Sequence, residues 1–265
     1  MDVRVRHNVT VTGNPDGRVL VLAHGFGCDQ SVWRLVVPRL VDDFRVVLFD
    51  YVGSGGADSS AWDVDRYSSL QGYADDVVAL LRGLDLDDVT FVGHSVSAMI
   101  GVLAAEAAQD RITKLVLLTP SPRYVDDSDY RGGFTRADID ELLEVLDSNY
   151  LGWSATMAPT IMANPDRPEL GAELTDTFCR MDPAIAKVFA RTTFLSDNRD
   201  DLAAVQVPTV VIECREDAIA PPTVGAYVSA HISGSRLETL DATGHCPHMS
   251  APELTARAIA RFASQ

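Results

Sequence analysis

Ser95 stands in the run Gly93-His94-Ser95-Val96-Ser97, between the apolar stretch Phe91-Val92 and an apolar helical segment from Val96 to about Ala108. A serine at such a strand-to-helix turn is forced to expose its hydroxyl above the sheet, and small neighbours let the backbone turn that tightly. The usual pattern is G-x-S-x-G. Here Ser97 takes the second glycine position, so a small residue is kept but the motif is weaker taken alone. A hydroxyl is a poor nucleophile until a base removes its proton and an acid orients that base. The chemistry this points to is acyl transfer.

For a nucleophile on such a turn, the acid and then the histidine follow in chain order, each in a loop after a strand. Of the 6 histidines, His24 and His94 belong to other motifs, His7 to an N-terminal hairpin and His231 to a surface helix. His245 and His248 follow the last strand-like run. Gly244 suits a tight loop that presents an imidazole, which favours His245; His248 is expected to satisfy a buried hydrogen bond nearby. Asp217, in Arg215-Glu216-Asp217-Ala218-Ile219-Ala220-Pro221 after the run Val210–Cys214, is the favoured acid, with Glu216 and Asp241 as alternatives. A helix cap is the plainer role for Asp217.

Acyl transfer also needs donors aimed at the developing oxyanion. One is expected from the backbone N–H of Val96, the other from the loop His24-Gly25-Phe26-Gly27, at Phe26, where flanking glycines allow close approach. Gly53, Gly55 and Gly56 resemble a phosphate cradle, but no Lys-Ser/Thr follows and no third glycine completes a dinucleotide fingerprint. No His, Cys and carboxylate spacing points to a metal, and no cofactor is expected.

The elements that must carry these residues alternate. Apolar runs at 19–23, 46–49, 91–93 and 115–118 read as buried strands, the sheet pattern resumes at 207–212 with a further strand near 237–240, and helical segments near 73–84, 96–108, 224–230 and 254–262 are interleaved with them. That pattern predicts an α/β protein with a mostly parallel sheet covered on both faces. Val3, Val5, Val9 and Val11 alternate like a hairpin, which would add two strands before the first core run. From about 123 to 196 the strand signal stops and helical segments follow one another. We therefore expect a core of residues 1–122 and 197–265, with 123–196 a helical insertion after the sixth strand.

Composition narrows the classes. The chain has 265 residues, 22 Lys+Arg and 38 Asp+Glu, a formal charge of −16. That balance argues against nucleic acid or an anionic membrane surface as partner, because both need a basic face. The opening residues lack the apolar core of a signal peptide, and no stretch nears the roughly 20 apolar residues that span a bilayer. Cys28, Cys179, Cys214 and Cys246 form no CxxC pair. A cytoplasmic protein with free, mostly buried thiols is expected.

Several longer stretches carry a resemblance. HGFGCDQSVW (24–33), FDYVGSG (49–55), GHSVSAMIG (93–101), FARTTFLSDNRDDL (189–202) and ATGHCPHMSAPE (242–253) resemble one clade of α/β-hydrolases. That clade holds RsbQ, a bacterial stress-pathway hydrolase, and the plant karrikin and strigolactone receptors. The resemblance spans nearly the whole chain. CPHMS and Phe178-Cys179 lean towards RsbQ, while VSAMIG and RTTFLSDNR lean towards the plant receptors.

The resemblance implies catalytic Ser95, Asp217 and His245, oxyanion donors at Phe26 and Val96, and a four-helix V-shaped lid. Under that lid it implies an apolar substrate pocket at Phe26, Tyr124, Phe134 and Leu142, continued by Trp153, Met157, Phe194 and Ile219. Met157 and Leu174 stand where plant members more often carry phenylalanine. The function implied is hydrolysis of a small, neutral, largely apolar ester or lactone, with ligand-receptor signalling as the alternative. For the RsbQ-like case, a regulatory phosphatase is the implied partner. A serine at 95 speaks against the aspartate-nucleophile dehalogenases and epoxide hydrolases, whereas haloperoxidase-like and carbon–carbon hydrolase chemistry share the same triad.

Overall fold

The computed structural model describes residues 2–265. Its centre is a seven-stranded sheet: β1 (Thr10–Gly13), β2 (Arg18–Ala23), β3 (Phe44–Leu48), β4 (Val89–His94), β5 (Ile112–Leu118), β6 (Thr209–Glu216) and β7 (Arg236–Thr243). The spatial order is β1-β3-β2-β4-β5-β6-β7, with β1 antiparallel to β3 and every other pair parallel. β4 is buried along its whole length, as expected of a central strand covered on both faces. Each fully buried Val or Leu of this kind stabilises the fold by roughly 1.5–3 kcal/mol.

The N-terminus differs from expectation. Val3–Arg6 is a short helix, α1, capped by the Asp2 side chain, so the predicted hairpin is a single strand, β1. Four alternating residues fit one turn of helix as well as a strand. Val3 packs against Gly83, where a Cβ would come within 2.7 Å of it, while Val5 stays 65% exposed. Five strands, rather than six, therefore precede the helical insertion.

Helices α2 (Val64–Tyr67), α3 (Leu70–Gly83) and α4 (Val96–Ala107) follow β3 and β4. Between β5 and β6 lie α5 (Arg136–Ser148), α6 (Tyr150–Met162), α7 (Pro168–Arg180) and α8 (Pro183–Phe194). Their starts are written locally. Thr135 and Asp138 form a reciprocal capping box at α5, Asn149 caps α6, and Asp182 caps α8. Pro168 and Pro183 occupy first turns, where a missing N–H costs nothing. The chain ends with α9 (Pro222–His231), α10 (Pro247–Ser250) and α11 (Pro252–Ala263). Among the described residues no helix is long and apolar enough to cross a membrane.

Candidate active site

Four loops meet at the carboxyl ends of β2, β4, β6 and β7, the edge of a parallel sheet where ligands usually bind. The loop after β4 is the turn that bears Ser95, whose backbone sits at φ 57°, ψ −124°. This strained conformation is held by close packing: a Cβ on Gly93 would lie 2.2 Å from the Ser97 carbonyl oxygen. β6 delivers Asp217 and β7 delivers His245.

His245 Nε2 stands 2.8 Å from Ser95 Oγ, and His245 Nδ1 stands 2.7 Å from Asp217 Oδ2. With Nδ1–H donating to the carboxylate, Nε2 is free to accept the serine proton. Asp217 Oδ1 accepts the amides of Ile219 and Ala220, at 2.8 and 3.0 Å. Burial alone would raise this carboxyl's pKa, but the neighbouring His245 and these hydrogen bonds outweigh it and hold Asp217 below the ordinary carboxylate range. All three side chains are buried. The alternatives fall away: Glu216 is exposed, and exposed Asp241 pairs with Arg215 at 2.9 Å.

Gly244 has φ +91°, and a Cβ there would strike the Met162 carbonyl oxygen at 2.0 Å. That explains the glycine before His245. The His245 amide then donates to Ile161 O at 2.9 Å, near the end of α6, so the inserted helices back the imidazole directly.

Gly25 brings the loop after β2 against the serine, since a Cβ at 25 would lie 3.3 Å from Ser95 Cβ. Among the described residues the Phe26 amide meets no protein acceptor, and Val96 opens α4 without a side-chain cap. Both N–H groups are thus unspent beside Ser95.

Over these groups lies an apolar cavity. Phe26, Tyr124, Leu142, Met157, Phe194 and Ile219 line it, and among the described residues its wall carries no Lys, Arg, Asp or Glu. The Tyr124 hydroxyl is 3.5 Å from Ser95 Oγ, and burial pushes its pKa up to about 12. Two expected lining residues lie elsewhere. Phe134 and Trp153 line an outer groove between α5 and α6. Trp153 meets Phe26 edge-on, with ring centroids 6.1 Å apart, and stacks on Phe178 at 5.8 Å.

Phe178, Cys28, Ile161, Thr193 and Cys246 complete the cavity wall beside Leu174. They were not singled out as lining, although Phe178 lay in a stretch noted for its likeness to RsbQ. With Phe178 in place, the free volume is about 30 Å³. Cys28, Cys214 and Cys246 are buried and free, but Cys179 is free and exposed, on the outer face of α7. His248 is also other than expected: fully buried against Trp33 and His94, it has a hydrogen-bond partner at neither nitrogen among the described residues.

Residues 20–258 match the alpha/beta hydrolase family. The chain is 41% identical to karrikin insensitive 2 receptor CA of Petunia hybrida, covering 98% of this chain and 96% of that protein. It is 39% identical to a strigolactone esterase of Arabidopsis thaliana, covering 96% and 95%. Among solved structures, a hydrolase from Oleispira antarctica matches with a TM-score of 0.97 and 42% identity, covering 100% of this chain and 97% of that one.

Proposed function

The chain belongs to the alpha/beta hydrolase family, and on that premise we propose that it is a serine hydrolase of small, neutral, largely apolar esters or lactones of butenolide type. The observation that carries this reading is the unbroken Ser95–His245–Asp217 relay, at 2.8 and 2.7 Å, opening into a cavity without a charged wall. An ionised substrate would bring an unpaired charge into that wall at a cost of several kcal/mol, so neutral carbonyl compounds are selected.

In this mechanism Ser95 Oγ attacks the carbonyl carbon while His245 Nε2 takes its proton. The Asp217 carboxylate holds the resulting imidazolium, and the Phe26 and Val96 amides receive the negative oxygen. Collapse breaks the ester C–O bond, and His245 returns its proton to the leaving alcohol or enol. Water, deprotonated by the same imidazole, then attacks the acyl-enzyme and releases the acid and free Ser95.

A second reading is favoured by one observation. A free volume of about 30 Å³ is far below the 300–1,000 Å³ of ordinary ligand pockets, so admitting a ligand must part the walls. Residues 123–196, as a lid over a core of 1–122 and 197–265, would move. That movement would let ligand capture or slow turnover be read by a partner, in the manner of a receptor. The resemblance to RsbQ points to a regulatory phosphatase in the cytoplasm as that partner, where the four free thiols are at home.

The test is turnover of p-nitrophenyl butyrate and of a fluorogenic butenolide ether by wild type and Ser95→Ala, with intact-mass spectra. Turnover and a transient adduct on the wild type, both lost in the variant, are expected. No turnover and no adduct on the wild type would overturn the enzymatic reading.

A further inference from the structure

The serine at position 97, where the nucleophile motif usually has glycine, has a side chain with a definite task. Ser97 is fully buried, and its hydroxyl donates to the backbone carbonyl of His24. Tyr51 Oη lies 2.9 Å from the same Ser97 Oγ. A hydroxyl carries one proton, and the carbonyl of His24 can only accept. The direction of the chain is therefore fixed: Tyr51 donates to Ser97, and Ser97 donates to His24. Tyr51 is itself fully buried, which keeps the phenol neutral and able to donate.

The imidazole of His24 continues the chain of contacts. Its Nε2 faces the Tyr51 amide at 3.3 Å and must accept, which leaves the proton on Nδ1. Nδ1–H then donates to the Gly25 carbonyl at 2.9 Å, and that oxygen also accepts the Cys28 amide at 3.3 Å. The Gly25 carbonyl and the Phe26 amide share one planar trans peptide, so fixing the direction of the C=O fixes the N–H pointing the opposite way. The preceding peptide plane is pinned at the His24 carbonyl by Ser97. Two successive peptide planes are thus tied down immediately before the amide that faces Ser95.

We infer that Ser97 is a positioning residue which, with Tyr51 and His24, aims the Phe26 amide at the oxygen of the tetrahedral intermediate. The inference rests on the proposal that Phe26 N–H is an oxyanion donor. It also explains why the second small residue of the motif is a serine here. A glycine would allow the same turn of α4 but would leave the His24 carbonyl without its donor. The nucleophile helix and the oxyanion loop, on adjacent strands β4 and β2, are clamped together through this one hydroxyl.

The experiment compares wild type with Ser97→Ala, Ser97→Gly, Tyr51→Phe and Ser95→Ala on p-nitrophenyl butyrate. Each is also titrated with butylboronic acid, which adds to Ser95 as a tetrahedral anion, and with butyramide, which binds without adding. Deleting an oxyanion donor outright costs about 100- to 1,000-fold in kcat, so a donor left in place but mis-aimed should cost about tenfold. Ser97→Ala and Ser97→Gly should lower kcat about tenfold with KM nearly unchanged. Boronate affinity should fall in parallel while butyramide affinity holds. Tyr51→Phe, which leaves the Ser97-to-His24 bond intact, should show a smaller loss in the same direction.

If both Ser97 variants keep kcat within twofold, or if boronate and butyramide affinity fall together, the positioning role is overturned while the triad stands. Should Ser95→Ala itself keep turnover, the underlying hydrolase reading fails instead. If the Ser97 variants do not fold, Tyr51→Phe decides: an unchanged boronate-to-butyramide affinity ratio there overturns the inference.

Discussion

His94 donates its Nε2–H to the backbone carbonyl of His245 at 2.9 Å, joining the residue before Ser95 to the backbone that carries the imidazole beside it. The two are 151 positions apart in the chain. Thr119 Oγ1, just past β5, lies 3.1 Å from the same carbonyl and 2.9 Å from that of Leu118, its one proton shared between the two. Burial, and the nearby His245, bring His94 down to about 3, and a neutral ring is what a single directed donation requires. His94→Leu, which removes the donor, should lower kcat about tenfold by loosening the base. His94→Gln, whose amide can donate along the same line, should retain most activity. Equal losses in the two variants would refute the role.

The acid should be essential for turnover and dispensable for the fold. Asp217→Asn keeps the shape but offers His245 an amide in place of a carboxylate, which favours the wrong tautomer. A loss of about 10⁴ in kcat is expected, by analogy with other serine triads. Glu216→Gln and Asp241→Asn, both at exposed sites, should stay within twofold. Steady-state kinetics on p-nitrophenyl butyrate separate these outcomes.

Stability should fall on acidification well above the carboxylate range. Burial lowers the pKa of His7, His24, His94 and His248 from the ordinary value near 6.5. Below pH 6.5 the unfolded chain binds protons that the folded chain refuses, so stability is full above that value and drains as pH falls. Each such group contributes a slope of about 1.4 kcal/mol per pH unit until its native value is reached. Asp217, held low in the fold, adds a further loss in the same sense below about pH 4. Thermal melts at pH 7, 6 and 5 should show a steadily falling Tm; a flat profile would contradict the burial of these neutral rings.

His248→Phe should stabilise the protein or leave it unchanged. Both ring nitrogens are buried without a partner among the described residues, and an unpaired buried polar group costs about 1–3 kcal/mol. Phenylalanine keeps the contact with the Trp33 ring, whose centroid is 4.7 Å away. The gain should be larger at pH 5 than at pH 7, since one titrating group is removed. A variant destabilised by more than about 1 kcal/mol in urea melts would show that the imidazole has a polar task after all.

Phe178→Ala should trade stability for breadth. The ring packs on Gly27, where an added Cβ would meet it at 2.5 Å, and it fills the cavity beside Phe26. Truncation should cost about 3–5 kcal/mol. The space opened should raise kcat/KM for p-nitrophenyl octanoate relative to the acetate. An unchanged ratio between the two esters would place Phe178 outside the acyl path.

Much of this architecture was legible because buried parallel strands read as unbroken apolar runs, and because Ser95 and Asp217 each sit just past one, while His245 follows β7, a mostly exposed edge strand. Gly244 carried its own signal, a residue free to adopt φ +91° before an imidazole. The N-terminal helix was hidden because Val-Arg-Val-Arg alternates like a strand and is decided by the Asp2 cap and contact with Gly83. Trp153 and Phe134 were misplaced for a different reason. Trp153 lies on α6, where its direction depends on a rotation that spacing within one helix does not reveal, whereas Phe134 lies just before the Thr135 cap of α5, in a bridge with Val125 that no helical spacing describes. That rotation is set by how α5, α6 and α7 pack on one another. The same limit hid Phe178.

Eight of the fifteen residues that wall the cavity come from the stretch between β5 and β6, yet Ser95, Asp217 and His245 all lie outside it. Natural variation can therefore remodel what the protein accepts without touching the atoms that react.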